Sequence, residues 1–286
     1  MKYFVTGQHG FLGKRFVEKL RENNIEPILV EGDLLDGGKL DNVCDEDYLI
    51  VHFAGYVKDA NNVDMNIRNN IMSTCNIVRL AQKKQCKGLI YISSIAVVGN
   101  TDSSETEPID PDTKCEPVTA YGCSKYDCEK IIQQFRKDKR YWIVRPTNIV
   151  DGIEKGVFEN MEEAYQKGEP YHLFDVTKNI LRDYISAKDV IDSIYNMAVN
   201  PDLLPEHSQI IILGSGHSYT YEEVVNLFKE KIAPDFRVEI TSPDQPITPR
   251  NIVVDASQTK ALLGREPETL EGMADEIAAE KRKNRQ

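Results

Sequence analysis

Tyr121 and Lys125 stand four residues apart in the stretch Pro117-Val118-Thr119-Ala120-Tyr121-Gly122-Cys123-Ser124-Lys125. On a helix that spacing places both side chains on one face, one turn apart. An ammonium beside a phenol favours the phenolate, so it lowers the tyrosine pKa from its usual value of about 10. The tyrosine then becomes a general acid/base usable near neutral pH. The same pair occurs by chance on many surface helices. Its weight here comes from two further features, a glycine-rich loop near the N-terminus and the pair Ser93-Ser94 at the end of a strand.

The elements that must position these groups follow from the apolar pattern. Lys2-Tyr3-Phe4-Val5-Thr6 reads as a strand, and Gly7-Gln8-His9-Gly10-Phe11-Leu12-Gly13 leads into an amphipathic helix to about Asn23. In this strand–loop–helix order Gly7 permits the tight turn and Gly10 lets a phosphate approach the backbone. Gly13 permits close helix–strand packing, and the helix N-terminus offers donors to a pyrophosphate. Ile28-Leu29-Val30-Glu31 is the next strand, and Glu31 lies where an acid would meet the adenosine ribose hydroxyls. A strand-end acid in a turn is the alternative. No arginine or lysine follows closely, which favours NAD over NADP. Asp33 and Leu34 are placed to contact the adenine.

The link to a strand over 48–53 is short, so one crossover is trimmed. Ala54-Gly55-Tyr56 end that strand in small residues past which a cofactor could run. A long helix is predicted over 63–84, a buried strand over 88–94, the Tyr121 helix to about 137, and a strand over 141–146 stopped by Pro146. Ligands of an open α/β sheet sit at the carboxyl ends of the strands, which puts Ser93 and Ser94 at the site mouth. After about residue 152 the segments become shorter and more polar. A helix over 187–199 and a strand over 209–213 then rejoin the sheet. The remainder reads as helices over 220–232, 257–263 and 270–283, with short strands near 237–241 and 251–254. The fold class is α/β, a Rossmann-like doubly wound parallel sheet with a smaller C-terminal α/β substrate lobe. The expected division is 1–151 with about 183–214 for the dinucleotide domain, and about 152–182 with 215–286 for the lobe.

Composition narrows the function classes. The 286 residues carry a net charge of −11 and 41% hydrophobic residues, as in an ordinary soluble protein. No basic block stands in the body of the chain, so nucleic acid is not an expected partner. The run Lys281-Arg282-Lys283-Asn284-Arg285 reads as a solvated helix end. No apolar run is long enough to span a membrane. The opening strand leaves no room for a signal peptide. The six cysteines show no metal-type spacing and the five histidines do not cluster, so no metal site is expected and the thiols suit a cytoplasmic protein.

With these residues in place, the chain resembles the extended short-chain dehydrogenase/reductases, the NAD-dependent sugar-nucleotide epimerase/dehydratase family. The likeness runs nearly end to end. It rests on Thr6-Gly7-x-x-Gly10-Phe11-Leu12-Gly13, His52-Phe53-Ala54-Gly55, Asn69-Asn70-Ile71-x-x-Thr74-x-Asn76, Ser93-Ser94 and Tyr121-Gly122-x-Ser124-Lys125. It continues through Arg145-Pro146-x-Asn148, Arg182-Asp183-Tyr184-Ile185, Gly214-Ser215-Gly216, Asp255-Ala256-Ser257 and Leu263-Gly264-Arg265-x-Pro267.

The resemblance implies that Tyr121 moves a proton to or from a sugar oxygen and that Ser94 hydrogen-bonds that oxygen. Lys125 tunes Tyr121 and holds the nicotinamide ribose. Gly7, Gly10, Phe11, Leu12, Gly13, Glu31, Asp33, Leu34, Phe53, Ala54, Gly55, Asn70, Ser93, Tyr121, Lys125 and Pro146 line the cofactor. Ser94, Tyr121, Asn148, Arg182 and Arg250 meet the nucleotide-sugar substrate, although each arginine could equally serve a structural ion pair. It also implies a homodimer through the helices of Asn70 and Tyr121.

The departures count too. Ile95-Ala96 stands where dehydratases carry an Asp-Glu pair, which disfavours dehydration and decarboxylation. Val98 stands where the family has tyrosine, altering the sugar pocket, and Asp151 replaces a second tyrosine. The favoured activity is epimerisation through transient oxidation at a sugar carbon, C4. The alternatives are a 4-ketoreductase of a nucleotide-linked 4-keto-6-deoxy sugar, a steroid-type dehydrogenase, and a non-catalytic dinucleotide-sensing protein. The last is opposed by the retained Tyr121–Lys125 pair.

Overall fold

The computed structural model describes residues 1–30, 32–40, 45–99, 107–135, 140–200, 203, 209–243 and 250–283. The chain divides into two compact units. The first gathers Met1–Gly99, Pro111–Arg145 and Ile191–Ile211; the second gathers Asn100–Asp110, Pro146–Val190 and Ile212–Gln286.

A six-stranded sheet organises the first unit. Its strands are β1 (Lys2–Thr6), β2 (Ile28–Leu29), β3 (Tyr48–His52), β4 (Cys86–Ile92), β5 (Arg140–Pro146) and β9 (Gln209–Leu213), in the order β2-β1-β3-β4-β5-β9. The pairs β1–β2, β1–β3, β3–β4 and β4–β5 are all parallel. Every residue of β3 is buried and only the first of β1 is exposed. Strands covered on both faces read as continuous apolar runs, which is why they were legible. This is the Rossmann-like α/β sheet that the sequence predicts. Because β1 lies between β2 and β3, the crevice at their carboxyl ends is the topological switch point where ligands bind.

Helix α1 (Phe11–Glu22) buries Phe16, Val17 and Leu20 along one stripe. Each such side chain contributes roughly 1.5–3 kcal/mol by leaving water. The helix predicted over 63–84 is interrupted. It consists of α2 (Val63–Asn66), a π-helical segment (Ile67–Met72) and α3 (Ser73–Ala81). Helix α4 (Ala120–Phe135) carries Tyr121 and Lys125.

The second unit holds β6 (Asn148–Val150), β8 (Leu181–Ser186) and β10 (Ser218–Thr220) in one small sheet, and β7 (Tyr171–Phe174) parallel to β11 (Val238–Thr241) in another. Its core packs α5 (Val157–Lys167), α7 (Tyr221–Lys231) and α9 (Leu270–Lys283) around Phe158, Phe228, Phe236 and Met273. Helices α6 (Ala187–Val199) and α8 (Ser257–Leu263) are the remaining α-helices described. The compact units differ from the division expected at 151 and 183. Pairing of β6 with β8 draws Pro146–Val190 together into the second unit. The strand expected at 251–254 is reduced to single bridges, Arg182 with Ile252 and Ile109 with Val254.

Candidate active site

The glycine loop is built by contacts that exclude side chains. Gly7 has φ +74°, and a Cβ there would stand 2.5 Å from Ala54 N; a Cβ on Gly13 would stand 2.1 Å from Gly7 O. Gly10 N donates to Gly7 O at 2.8 Å, closing the turn. Gly10 is also the N-cap of α1; no side chain caps the helix and its first turn has no acid, so its free N–H groups suit a diphosphate. A cavity of about 200 Å³ opens here, lined by Gly7, Gln8, Gly10, Val30, Leu34 and Ala54. The residues present therefore fit a dinucleotide. Phe11 and Leu12 form the first turn of α1, with the Arg15 guanidinium 4.3 Å over the Phe11 ring. Phe53 packs on Phe16 with ring centroids 5.1 Å apart. Asp33 Oδ1 accepts from Leu35 N at 3.0 Å, so this acid caps its own turn. Glu31 lies outside the described residues.

The groups expected to react converge at the end of β4. Ser94 is hydrogen-bonded to the Tyr121 phenol and accepts from Ala96 N at 3.2 Å. Lys125 is buried, and its Nζ donates to Ile92 O at 2.8 Å while lying 4.9 Å from the Tyr91 ring and 6.0 Å from the Tyr121 ring. Room for that ammonium depends on Gly55, where a Cβ would stand 3.2 Å from Nζ. Burial lowers Lys125 to about 8, opposed by the neighbouring Cys128 sulfur and the Glu129 carboxylate. Burial pushes the Tyr121 phenol above its ordinary value, and the Ser94 hydrogen bond pulls it back. The lowering expected from Lys125 is thus not realised: its ammonium is turned to Ile92 O, and desolvation governs the phenol.

Asn70 lies in the π-helical segment and is buried. Its Oδ1 accepts from Tyr56 N at 2.6 Å, and its Nδ2 donates to Ser124 Oγ at 2.8 Å and Asn66 Oδ1 at 3.0 Å. Ser124 Oγ donates in turn to Tyr121 O at 2.8 Å. Asn70 therefore acts on α4 from behind. Ser93 is engaged as well, donating to Glu129 Oε1 at 2.5 Å. Pro146 closes β5. Val98 is fully buried, so the change at this position alters packing beneath the site rather than an open pocket wall.

Asn148, Arg182 and Arg250, assigned to the nucleotide sugar, lie in the second unit. Asn148 Nδ2 donates to Asp183 O at 2.8 Å, and Arg182 Nη1 donates to Leu181 O at 3.0 Å and to Arg250 O. The Arg182 guanidinium stands 5.7 Å over the Tyr221 ring. Beside Asn148 is a cavity of about 450 Å³ lined by Lys155, Glu159, Tyr171, Tyr184 and Tyr221. The Tyr184 hydroxyl there is buried without a hydrogen-bond partner among the described residues, and burial raises its pKa. Sequence reasoning missed this tyrosine group, because Tyr171, Tyr184 and Tyr221 come from three separate segments. It also missed Asp183. Its carboxylate accepts from Thr147 Oγ1, Ser215 N, Ser215 Oγ and Gly216 N, while burial pushes it up to about 6.

The model of the NAD-dependent epimerase/dehydratase family matches residues 3–214. The chain belongs to this family. It is an NAD-dependent enzyme of the extended short-chain dehydrogenase/reductase type. A UDP-glucose 4-epimerase of Lactobacillus helveticus is 23% identical, over 97% of this chain and 95% of that protein. A GDP-6-deoxy-D-talose 4-dehydrogenase of Aggregatibacter actinomycetemcomitans is 28% identical, over 76% of each. The crystal structure of a UDP-glucose 4-epimerase with UDP-glucose from Thermotoga maritima superposes with a TM-score of 0.82 at 22% identity, covering all of both chains. Among the described residues, no helix of this family member is long and apolar enough to cross a membrane.

Proposed function

We propose that the protein is a nucleotide-sugar epimerase that works by transient oxidation at sugar carbon C4. The observation that carries the reading is the convergence of Ser94, Tyr121 and Lys125 at the end of β4, in the same compact unit as the glycine cradle. Residues of the loop 7–13 would hold the cofactor diphosphate and Gly55 its nicotinamide end. Bound NAD would supply the hydride acceptor and, once reduced, the donor. Ser94 holds the reacting hydroxyl and Tyr121 removes its proton. Tyr121 acts as the base in its phenolate form, which a Lys125 ammonium turned from Ile92 O would favour; on taking the proton it becomes the phenol, and it returns the proton after the ketone has turned its other face. Asn148, Arg182 and Arg250 hold the nucleotide diphosphate, an arginine fork fitting two phosphate oxygens.

Absence of acids at Ile95 and Ala96 weighs against dehydration. Likeness to a 4-dehydrogenase supports a second reading, reduction of a 4-keto sugar with cofactor consumed at each turnover. Proton magnetic resonance of UDP-, GDP-, CDP- and dTDP-sugars incubated with the protein separates the two. Epimer formation without added cofactor supports epimerisation. Turnover of a 4-keto sugar alone, with stoichiometric loss of reduced cofactor, replaces it with the reductase. Tyr121→Phe lowers the rate by about 10²–10⁴-fold while nucleotide-sugar binding persists; unchanged turnover refutes the assignment of Tyr121. The same reading includes a homodimer and a cytoplasmic setting.

A further inference from the structure

Helix α4 is fastened to the end of β4 on three successive turns. Tyr121 hydrogen-bonds Ser94, Lys125 donates to Ile92 O, and Glu129 accepts from Ser93 Oγ at 2.5 Å. The spacing 121, 125, 129 sets all three on one helix face. Glu129 is gripped from β5 by Arg145, whose Nε reaches Oε1 at 3.0 Å and whose Nη2 reaches Oε2 at 2.6 Å. Ser93, Glu129 and Arg145 are all buried, the last two at 1% exposure. A buried ion pair recovers little more than its desolvation cost, so stability is a weak reason for one; fixing register is the better attested use. The pair sits where register matters, because Ser93 is the covalent neighbour of Ser94.

We infer that Glu129, held by Arg145, is a positioning residue that acts through Ser93 to set the Ser94 hydroxyl against the Tyr121 phenol. This rests on the reading of Ser94 and Tyr121 as the reacting pair. Glu129 also has a second line of influence. The groups around the Lys125 ammonium are Tyr121 and Cys128 on α4, Tyr91 on β4, His52 on β3 and Glu129. Burial keeps His52 and Tyr91 neutral, and it keeps Cys128 a thiol, so Glu129 is the carboxylate that opposes loss of the Lys125 charge.

The test uses the whole protein with carbon-13 labels at tyrosine Cζ and lysine Cε, so no substrate is needed. In Ser93→Ala the Tyr121 resonance, which reports the phenol's hydrogen bonding, moves at neutral pH. In Glu129→Gln the Lys125 titration moves to lower pH and the Tyr121 resonance moves as in Ser93→Ala. A merely structural role would lower the melting temperature and leave both resonances in place, and that result overturns the inference. Should Glu129→Gln fail to fold, Ser93→Ala decides alone. Full turnover by Tyr121→Phe, by contrast, refutes the parent reading and leaves these resonances uninformed.

Discussion

His52 is held between two threonines at the carboxyl ends of the sheet, with Nδ1 2.6 Å from Thr6 Oγ1 and Nε2 3.1 Å from Thr74 Oγ1. Burial lowers it to about 3. An unfolded histidine titrates near 6.5, so between these values the unfolded chain binds the extra proton. Stability is therefore lost as pH falls through this window, by up to about 1.4 kcal/mol per pH unit. Asp183 has the opposite sign. Raised to about 6, it holds its proton in the folded state, and its contribution is lost as pH rises. Urea unfolding of wild type and His52→Gln from neutral pH to about pH 4 isolates the histidine: the gap between the two should narrow as pH falls, and a constant gap contradicts the burial argument. At this scale Tyr121, Lys125 and Ser94 were legible, because spacing on one helix and position at a strand end are local properties. Glu129 carried a weaker local signal, an acid one turn beyond Lys125 on the buried face. Its partner Arg145 lies on a different strand, and no local pattern reveals such a pairing.

Among the elements, the glycine loop was legible as a strand–loop–helix turn, since Gly7 and Gly13 each have a backbone reason. Gly13→Ala would press a methyl against Gly7 O at 2.1 Å, and the backbone would have to move. Calorimetry should show NAD binding lost or severely weakened, with retention of wild-type affinity as the contrary result. Gly55→Ala is milder. Its Cβ would meet Asn70 Oδ1 at 3.0 Å and Lys125 Nζ at 3.2 Å, and overpacking of this kind costs about 1–3 kcal/mol. Turnover should fall more than thermal stability does, because the displaced group is the ammonium; the reverse ordering would show that Lys125 adapts. The π-helical segment was not legible. A period of 3.6 residues describes Val63 to Ala81 well enough, and the extra residue shows only once Asn70 is seen to reach Tyr56 and Ser124 together.

For the whole molecule, the exposed apolar residues Val63, Met65, Ile67 and Met72 run along α2 and the π-helical segment. Exposed apolar side chains on this segment suit the homodimer proposed above, which would cover them by twofold pairing. Light scattering should return a dimer mass for wild type and a monomer for Ile67→Glu with Met72→Glu; a wild-type monomer at micromolar concentration rejects the dimer. Calorimetric titration should likewise favour NAD over NADP, with equal affinities contradicting the role given to Glu31. The fold class was legible from buried strands and their order. The unit boundaries were not, because β6 and β8 pair with each other and no composition shift marks that choice. The division also bears on how such a protein can be cut and how it can change. The chain passes between the two units five times before it ends. A fragment stopping near residue 150 would lack β9 and leave β5 as a bare edge inviting aggregation. Neither unit can be spliced out and traded as a contiguous cassette. A chimaera that trades the second unit with a relative must therefore exchange three separate segments at once.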